Sequence, residues 1–159
     1  MIVINIFVVA DTHFNHRNII KYCNRPFNNV EEMDKTLINN WNSTVTEKDL
    51  IFHLGDLAFC SADERRKLMR KLKGNKILIR GNHDSATDTH YKKLGFIEVY
   101  ERLEFGNYIL THRPIETGKI NIHGHKHNTQ LDSDNHYCVS VEQINYKPIL
   151  LREVSNELF

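Results

Sequence analysis

Ile2–Ala10 is an almost unbroken Val/Ile/Phe run. Such a run lacks the apolar–polar alternation of a half-solvated strand and predicts a β-strand covered on both faces. Asp49–Leu54 and Lys76–Arg80 repeat the pattern over shorter spans. Between these segments the period changes. Met33, Leu37 and Trp41 recur every fourth residue behind acidic Glu31, Glu32 and Asp34, which predicts a helix over Val30–Val45 with Trp41 in the core. Ser61, with Glu64 three residues on, forms a capping-box pattern and starts a second helix that runs to about Lys73 and stops at Gly74. A shorter helix is expected over Arg17–Cys23, ended near Pro26. From Gly95 the texture changes again. Glu98–Phe105, Tyr108–Thr111, Lys119–His123, His136–Val141 and Pro148–Val154 read as strands joined by short polar connections. The first half thus alternates strand and helix, and the second half is mostly strand. With no repeat, low-complexity run or Pro/Gly linker, residues 1–159 are expected to fold as one domain.

Five polar islands each follow an apolar stretch: Asp11-Thr12-His13, Gly55-Asp56, Gly81-Asn82-His83-Asp84, Thr111-His112, and His123-Gly124-His125-Lys126-His127. The loops after parallel strands gather at one sheet edge, where open α/β sheets place their ligands. Asp11 and His13 are two apart and are expected to point to the same side as their strand ends. Gly55 permits a tight turn that aims Asp56 at the crevice, and a carboxylate with two oxygens can bridge two cations. Carboxylate, imidazole and amide oxygen together suit a pair of divalent first-row metals.

Composition narrows the classes further. Hydrophobic residues make up 40% and charged residues 26%, the balance of a soluble globular protein, and no segment approaches the length of a membrane helix. The net charge of +1 supplies no global basic field, and no basic stripe or aromatic platform marks a nucleic-acid-binding surface. Cys23, Cys60 and Cys138 are odd in number and widely spaced, which fits reduced thiols in the cytoplasm better than a disulfide framework. The opening apolar run lacks a basic n-region and is read as a buried strand rather than a signal peptide.

The ordered set of islands resembles the metallophosphoesterase (calcineurin-like phosphoesterase) superfamily, from Ile2 to about Val141. The resemblance implies an α/β fold, a sandwich of two β-sheets flanked by helices, with a dinuclear site at one edge. It implies that Asp11, His13 and His127 hold a first metal and that Asn82, His112 and His125 hold a second, with Asp56 bridging. His83 matches the non-ligand catalytic histidine, and Asp84 sits where a carboxylate can orient it. Leu57-Ala58-Phe59-Cys60 replaces the continuation found in serine/threonine protein phosphatases and argues against that branch. The stretch from Asp11 to Phe27 is similar to small bacterial and phage phosphoesterases, with Asn15 where those usually carry Gly.

The chemistry so implied is hydrolysis of a phosphodiester. Two cations ~3.5–4 Å apart acidify a bridging water and clamp the phosphoryl oxygens. Manganese is the expected metal, with iron, nickel, cobalt or zinc as alternatives. His83 acts as the acid or stabilises the phosphoryl oxygens. A small phosphodiester or nucleotide-type compound is the expected substrate. A phosphomonoesterase using the same site and a non-catalytic metal-bound interaction module are the rival readings. Four further residues are candidates for substrate contact. Arg25 can grip a phosphate or be a surface charge before Pro26, and His16 can line the cleft or begin a helix. Arg113 follows a ligand, and His123 either meets substrate or supports the neighbouring histidines. His53, inside an apolar strand, is expected to be a satisfied core histidine. Short loops after Asp84 and Arg113 point to an open cleft.

Overall fold

A computed structural model describes residues 2–131 and 133–154. Five strands form the first sheet in the order β4-β3-β2-β1-β9: β1 (Ile6–Val9), β2 (Leu50–His53), β3 (Asn75–Ile79), β4 (Phe96–Tyr100) and β9 (Ile149–Leu150). β1 to β4 run parallel, and β9 is antiparallel to β1. The second sheet has the order β5-β6-β7-β8: β5 (Arg102–Phe105), β6 (Tyr108–Thr111), β7 (Ile120–His123) and β8 (His136–Cys138). Here β6, β7 and β8 are parallel and β5 is the antiparallel edge.

The unbroken apolar strands follow from this layering. Phe7 and Val9 of β1 face one core, together with Met33, Leu37 and Trp41 of helix α2 (Val30–Thr44). Val8 and Ala10 face the other core, against Leu110 and Ile122 of the second sheet. A strand buried between helices and a second sheet has no polar face. Helices α1 (Arg17–Tyr22), α3 (Ala62–Lys71) and α4 (Asp88–Lys93) belong with α2, and α5 (Leu151–Val154) closes the described chain. The two mixed sheets flanked by helices are the expected architecture. Trp41 is buried and donates its indole N–H to Lys73 O at 2.9 Å. The Ser61–Glu64 capping box forms as its spacing predicts.

Several elements differ from the pattern. Ile2, Val3 and Ile4 are 73%, 63% and 60% exposed, so only the end of the first apolar run is a buried strand. The span Glu98–Phe105 is two strands in different sheets, broken at Glu101. His136–Val141 ends early as β8 and gives way to a 3-10 turn at Val141–Gln143. Pro148–Val154 is a two-residue strand followed by a helical turn. Helix α4, which buries only Tyr91, has no sequence signal strong enough to announce it.

Candidate metal centre

The five islands meet where the C-terminal ends of β1, β2 and β3 approach those of β6 and β7. Asp11, His13 and His127 place one ligand atom each within 4.8 Å of one another, and so do Asp56, His112 and His125. Asp56 joins the two groups, with its Oδ2 3.6 Å from His13 Nε2 and 3.4 Å from His112 Nε2. Asn82 Oδ1 lies 2.9 Å from His112 Nε2, which adds it to the second group.

The remaining atoms of these residues are held by protein, so that specific atoms are left for a ligand. Asp11 Oδ2 accepts hydrogen bonds from the Ser140 hydroxyl at 2.5 Å and from His125 N–H at 2.7 Å. Asp11 Oδ1 and His13 Nε2 are buried without any hydrogen-bond partner. Each such group costs about 1–3 kcal/mol when left unsatisfied. Two orphaned acceptors facing a cluster of carboxylates and imidazoles are what a resident cation would complete, so the donor set fits divalent metal. His112 Nδ1–H donates to Leu54 O at 2.7 Å, which turns Nε2 towards Asp56. The same logic acts on His127: Nδ1 lies 3.0 Å from Glu142 Oε1, while Nε2 faces Asp11. A carboxylate behind a ligating imidazole fixes its tautomer and direction.

The electrostatics agree with this division. Burial pushes Asp11 up to about 6, His13 down to about 2 and His125 down to about 4. Burial pulls Asp56 upward too, but hydrogen bonding and charge from His112, with the His83 amide, hold it well below the usual carboxylate range. Burial lowers His127, yet its contacts to Cys23 and Glu142 outweigh that and raise it to about 10. In the metal-free protein His127 thus keeps a proton, which a cation at Nε2 would displace.

The backbone at the ligands is unusual. Asp11, His13, Asp56, His125 and His127 have φ of 57°, 49°, 57°, 68° and 46°. Residues with side chains seldom hold this left-handed region unless their surroundings over-determine it. The same-side placement of Asp11 and His13 therefore comes from a tight left-handed loop, not from a continued strand. Gly81 permits the loops to touch, since a Cβ there would lie 2.3 Å from Asp56 Oδ1.

The family model for calcineurin-like phosphoesterases matches residues 4–156. The chain belongs to that family. An uncharacterised protein of Methanocaldococcus jannaschii is 44% identical over 92% of this chain and 86% of its own length. The gene 66 protein of Mycobacterium phage L5 is 26% identical over 80% of this chain and 79% of its own. A protein of unknown function from Aquifex aeolicus shares the fold with a TM-score of 0.74 and 23% identity, over 98% of this chain and all of that one. A nuclease of Pseudomonas putida aligns with a TM-score of 0.55 and 20% identity, over 77% of this chain and 61% of that one. Membership makes the protein a metal-dependent phosphoester hydrolase and gives the two ligand groups their meaning.

Around this phosphoesterase centre the other expected residues fall into two sets. His83 is exposed at the mouth, its N–H donating to Asp56 Oδ1 at 3.0 Å and its ring 6.0 Å from that of His13. Arg113 is also exposed, beside a cleft of about 340 Å³ that includes Asn82 and His112. His16 is half-buried, its Nδ1 3.2 Å from His13 Nδ1.

Asp84 and Arg25 are placed otherwise than their sequence positions suggest, and of the two readings of His123 only the supporting one remains. Asp84 does not orient the His83 ring. Its carboxylate accepts the backbone N–H groups of Asp56, Gly81 and Leu57 at 2.7, 2.8 and 3.1 Å and so pins two ligand loops together. Arg25 does not reach out for phosphate. It is 4% exposed, donates to Asp11 O and Thr12 O at 2.6 and 2.9 Å, and pairs with Glu142 at 2.7 Å. It clamps the left-handed loop from behind. His123 is fully buried, with Nδ1 2.8 Å from Gly124 O, so substrate contact is closed to it as folded. His53 is the satisfied core histidine expected, between Thr12 Oγ1 at 2.9 Å and Gly55 N–H at 3.1 Å.

Sequence reasoning passed over Ser140, Glu142 and Phe59. Ser140 and Glu142 lie in an ordinary polar turn, and only their distance from Asp11 and His127 in space marks them. Phe59 could have been noticed as an aromatic three residues beyond Asp56.

Proposed function

We propose that this phosphoesterase hydrolyses phosphodiesters, and that residues 1–159 work as one domain in the cytoplasm. What carries the diester reading is that both flanks of the ligand groups offer surface to a substituent, an exposed ring on one side and a cleft on the other. Beside the first group lies a rim of His16 and Phe59, and beside the second lies the cleft bordered by Asn82, His112 and Arg113. A diester has two substituents to place, one on each side of phosphorus. The P. putida nuclease also bears a diester-cleaving name on this fold, though at 20% identity the likeness is one of architecture.

Asp11, His13 and His127 would hold one divalent ion, Asn82, His112 and His125 the other, and Asp56 both. Manganese is the proposed metal. When bound, the pair supplies Lewis-acid activation of water and neutralises charge on the phosphoryl group. The protein's own groups do the rest. His83, outside both ligand groups, delivers a proton to the departing oxygen or donates a hydrogen bond to the phosphoryl oxygens. Asp84 and Arg25 keep the ligand loops in place, and Arg113 stands where a substrate substituent leaves the second group. In support of the cytoplasm, the three cysteines are unpaired.

The test is hydrolysis of a nitrophenyl diester and of the matching monoester by protein that has been stripped with chelator and then reloaded with manganese. Activity on the diester should vanish and return. Turnover that survives complete metal removal would falsify the metal-dependent reading, and faster turnover of the monoester would replace diesterase by monoesterase.

A further inference from the structure

Five rings meet at the edge of the first ligand group. Phe59, three residues past Asp56, stacks on His16 with centroids 4.0 Å apart and planes within 20°. It also lies parallel to His13 at 5.5 Å and 4.9 Å from His83. Tyr22, on α1, meets His16 edge-on at 6.3 Å. Two of these rings are plainly unfinished as packing. Phe59 remains 36% exposed and Tyr22 71%, although each is a large apolar surface next to a polar site. On the same helix Arg17 and Lys21, one turn apart, are exposed beside Tyr22.

We infer that these rings make a shelf: the planar base of a nucleotide stacks on the outer face of Phe59, which His16 backs, with Tyr22 as an upright wall, while its phosphate occupies the metal groups. The inference rests on the phosphoesterase reading above and names the substrate class for it: esters that carry a nucleobase, in preference to simple alkyl or sugar phosphates. The chemistry favours a base over other apolar groups for two reasons. Offset parallel stacking needs a flat partner, and every nucleobase presents one. The cationic α1 side chains suit the anionic chain to which further nucleotides would be joined. No basic stripe is needed, because the metals supply the positive field at the scissile phosphate. The sequence hid the shelf because Tyr22 and Phe59 stand far apart in it and neither belongs to an aromatic run.

The experiment compares the binding of adenosine 5′-monophosphate and ribose 5-phosphate to the manganese-loaded protein by calorimetry, since the two share the sugar phosphate and the nucleotide carries adenine in place of the anomeric hydroxyl. The wild type should bind the nucleotide about tenfold more tightly, the scale of one base stacked on an aromatic ring. Phe59→Leu and Tyr22→Ala should each bring the ratio of the two affinities towards one, and Phe59→Trp should retain it. Ribose 5-phosphate serves in every variant as the internal reference for an intact phosphate site. Equal affinities in the wild type, or a ratio unchanged in both Phe59→Leu and Tyr22→Ala, overturn the shelf. Equal affinities with nitrophenyl diester turnover intact remove the shelf and leave the diesterase. Base-dependent affinity without diester turnover does the reverse.

Discussion

His83 is exposed, belongs to neither ligand group and touches Asp56 only through its backbone N–H. His83→Ala keeps that N–H and should leave both metal groups loaded, as elemental analysis would show. The rate should drop by roughly 10²-fold or more, the scale of lost general-acid help. The deficit should be smaller for nitrophenyl esters, whose leaving groups depart without a proton, than for alkyl esters. An equal deficit on both would assign His83 to the phosphoryl oxygens, and loss of metal would make it a ligand. At this scale the sequence was informative wherever chemistry and position coincide. The seven expected ligands come together because each lies just past a strand end. Arg25 reads in sequence as a phosphate grip or a surface charge, and Asp84 as a support for the His83 ring; neither reading includes burial, which makes both of them fasteners of the ligand loops.

Between residue and molecule lies the 3-10 turn Val141–Gln143, which places Glu142 behind His127 and against Arg25. Both side chains of the Arg25–Glu142 pair are essentially without exposure, 0% and 1%. Removing one partner of a buried pair leaves an uncompensated charge and costs on the order of 3–5 kcal/mol. Glu142→Gln should therefore lower the melting temperature of the metal-free protein. It should also weaken the Asp11/His13/His127 group by about 10–100-fold, as loss of a carboxylate behind a ligating histidine does elsewhere. The second group should change much less. Thermal melts and a metal titration check both, and two sites weakened equally would show that Glu142 acts only through general stability. Elements of this size are where the pattern was least legible. Nothing in composition changes at Glu101, where the chain leaves one sheet for the other, and the apolar run Ile149-Leu150-Leu151 reads as one strand although the chain turns helical from Leu151. Longer elements, such as α2 with its four-residue spacing, were plain.

For the molecule as a whole, the accumulation of buried histidines sets the response to acid. Burial holds His13 down to about 2 and His53, His123 and His125 down to about 4 in the folded, metal-free protein. Unfolded, each takes up a proton near pH ~6.5. Their contribution to stability is present above that pH and is lost as pH falls through it towards the folded values. Asp11 and Asp34, each raised by burial to about 6, act in the opposite sense, gaining stability as pH falls from there towards 3.8. His127, raised to about 10, has its contribution complete before this window opens. Four histidines against two carboxylates decide the sign. The urea midpoint of chelated protein should fall between pH ~6.5 and ~4.5. A midpoint that holds or rises would mean these histidines are not kept neutral by the fold.

Arg25 and Glu142 are 117 residues apart along the chain. A chain emerging from the ribosome must carry Arg25 as an unmatched cation until Glu142 has been made, and until then the left-handed loop is held from the other side alone, by its backbone hydrogen bonds to Gly55, Asp56 and Leu57. The strands beside that loop pair earlier and more locally, yet His127 and Ser140 also arrive late. Metal capture at the first group therefore waits for His127 and for the Ser140–Glu142 turn behind it. It can reward a finished fold, but it cannot guide the N-terminal half towards one.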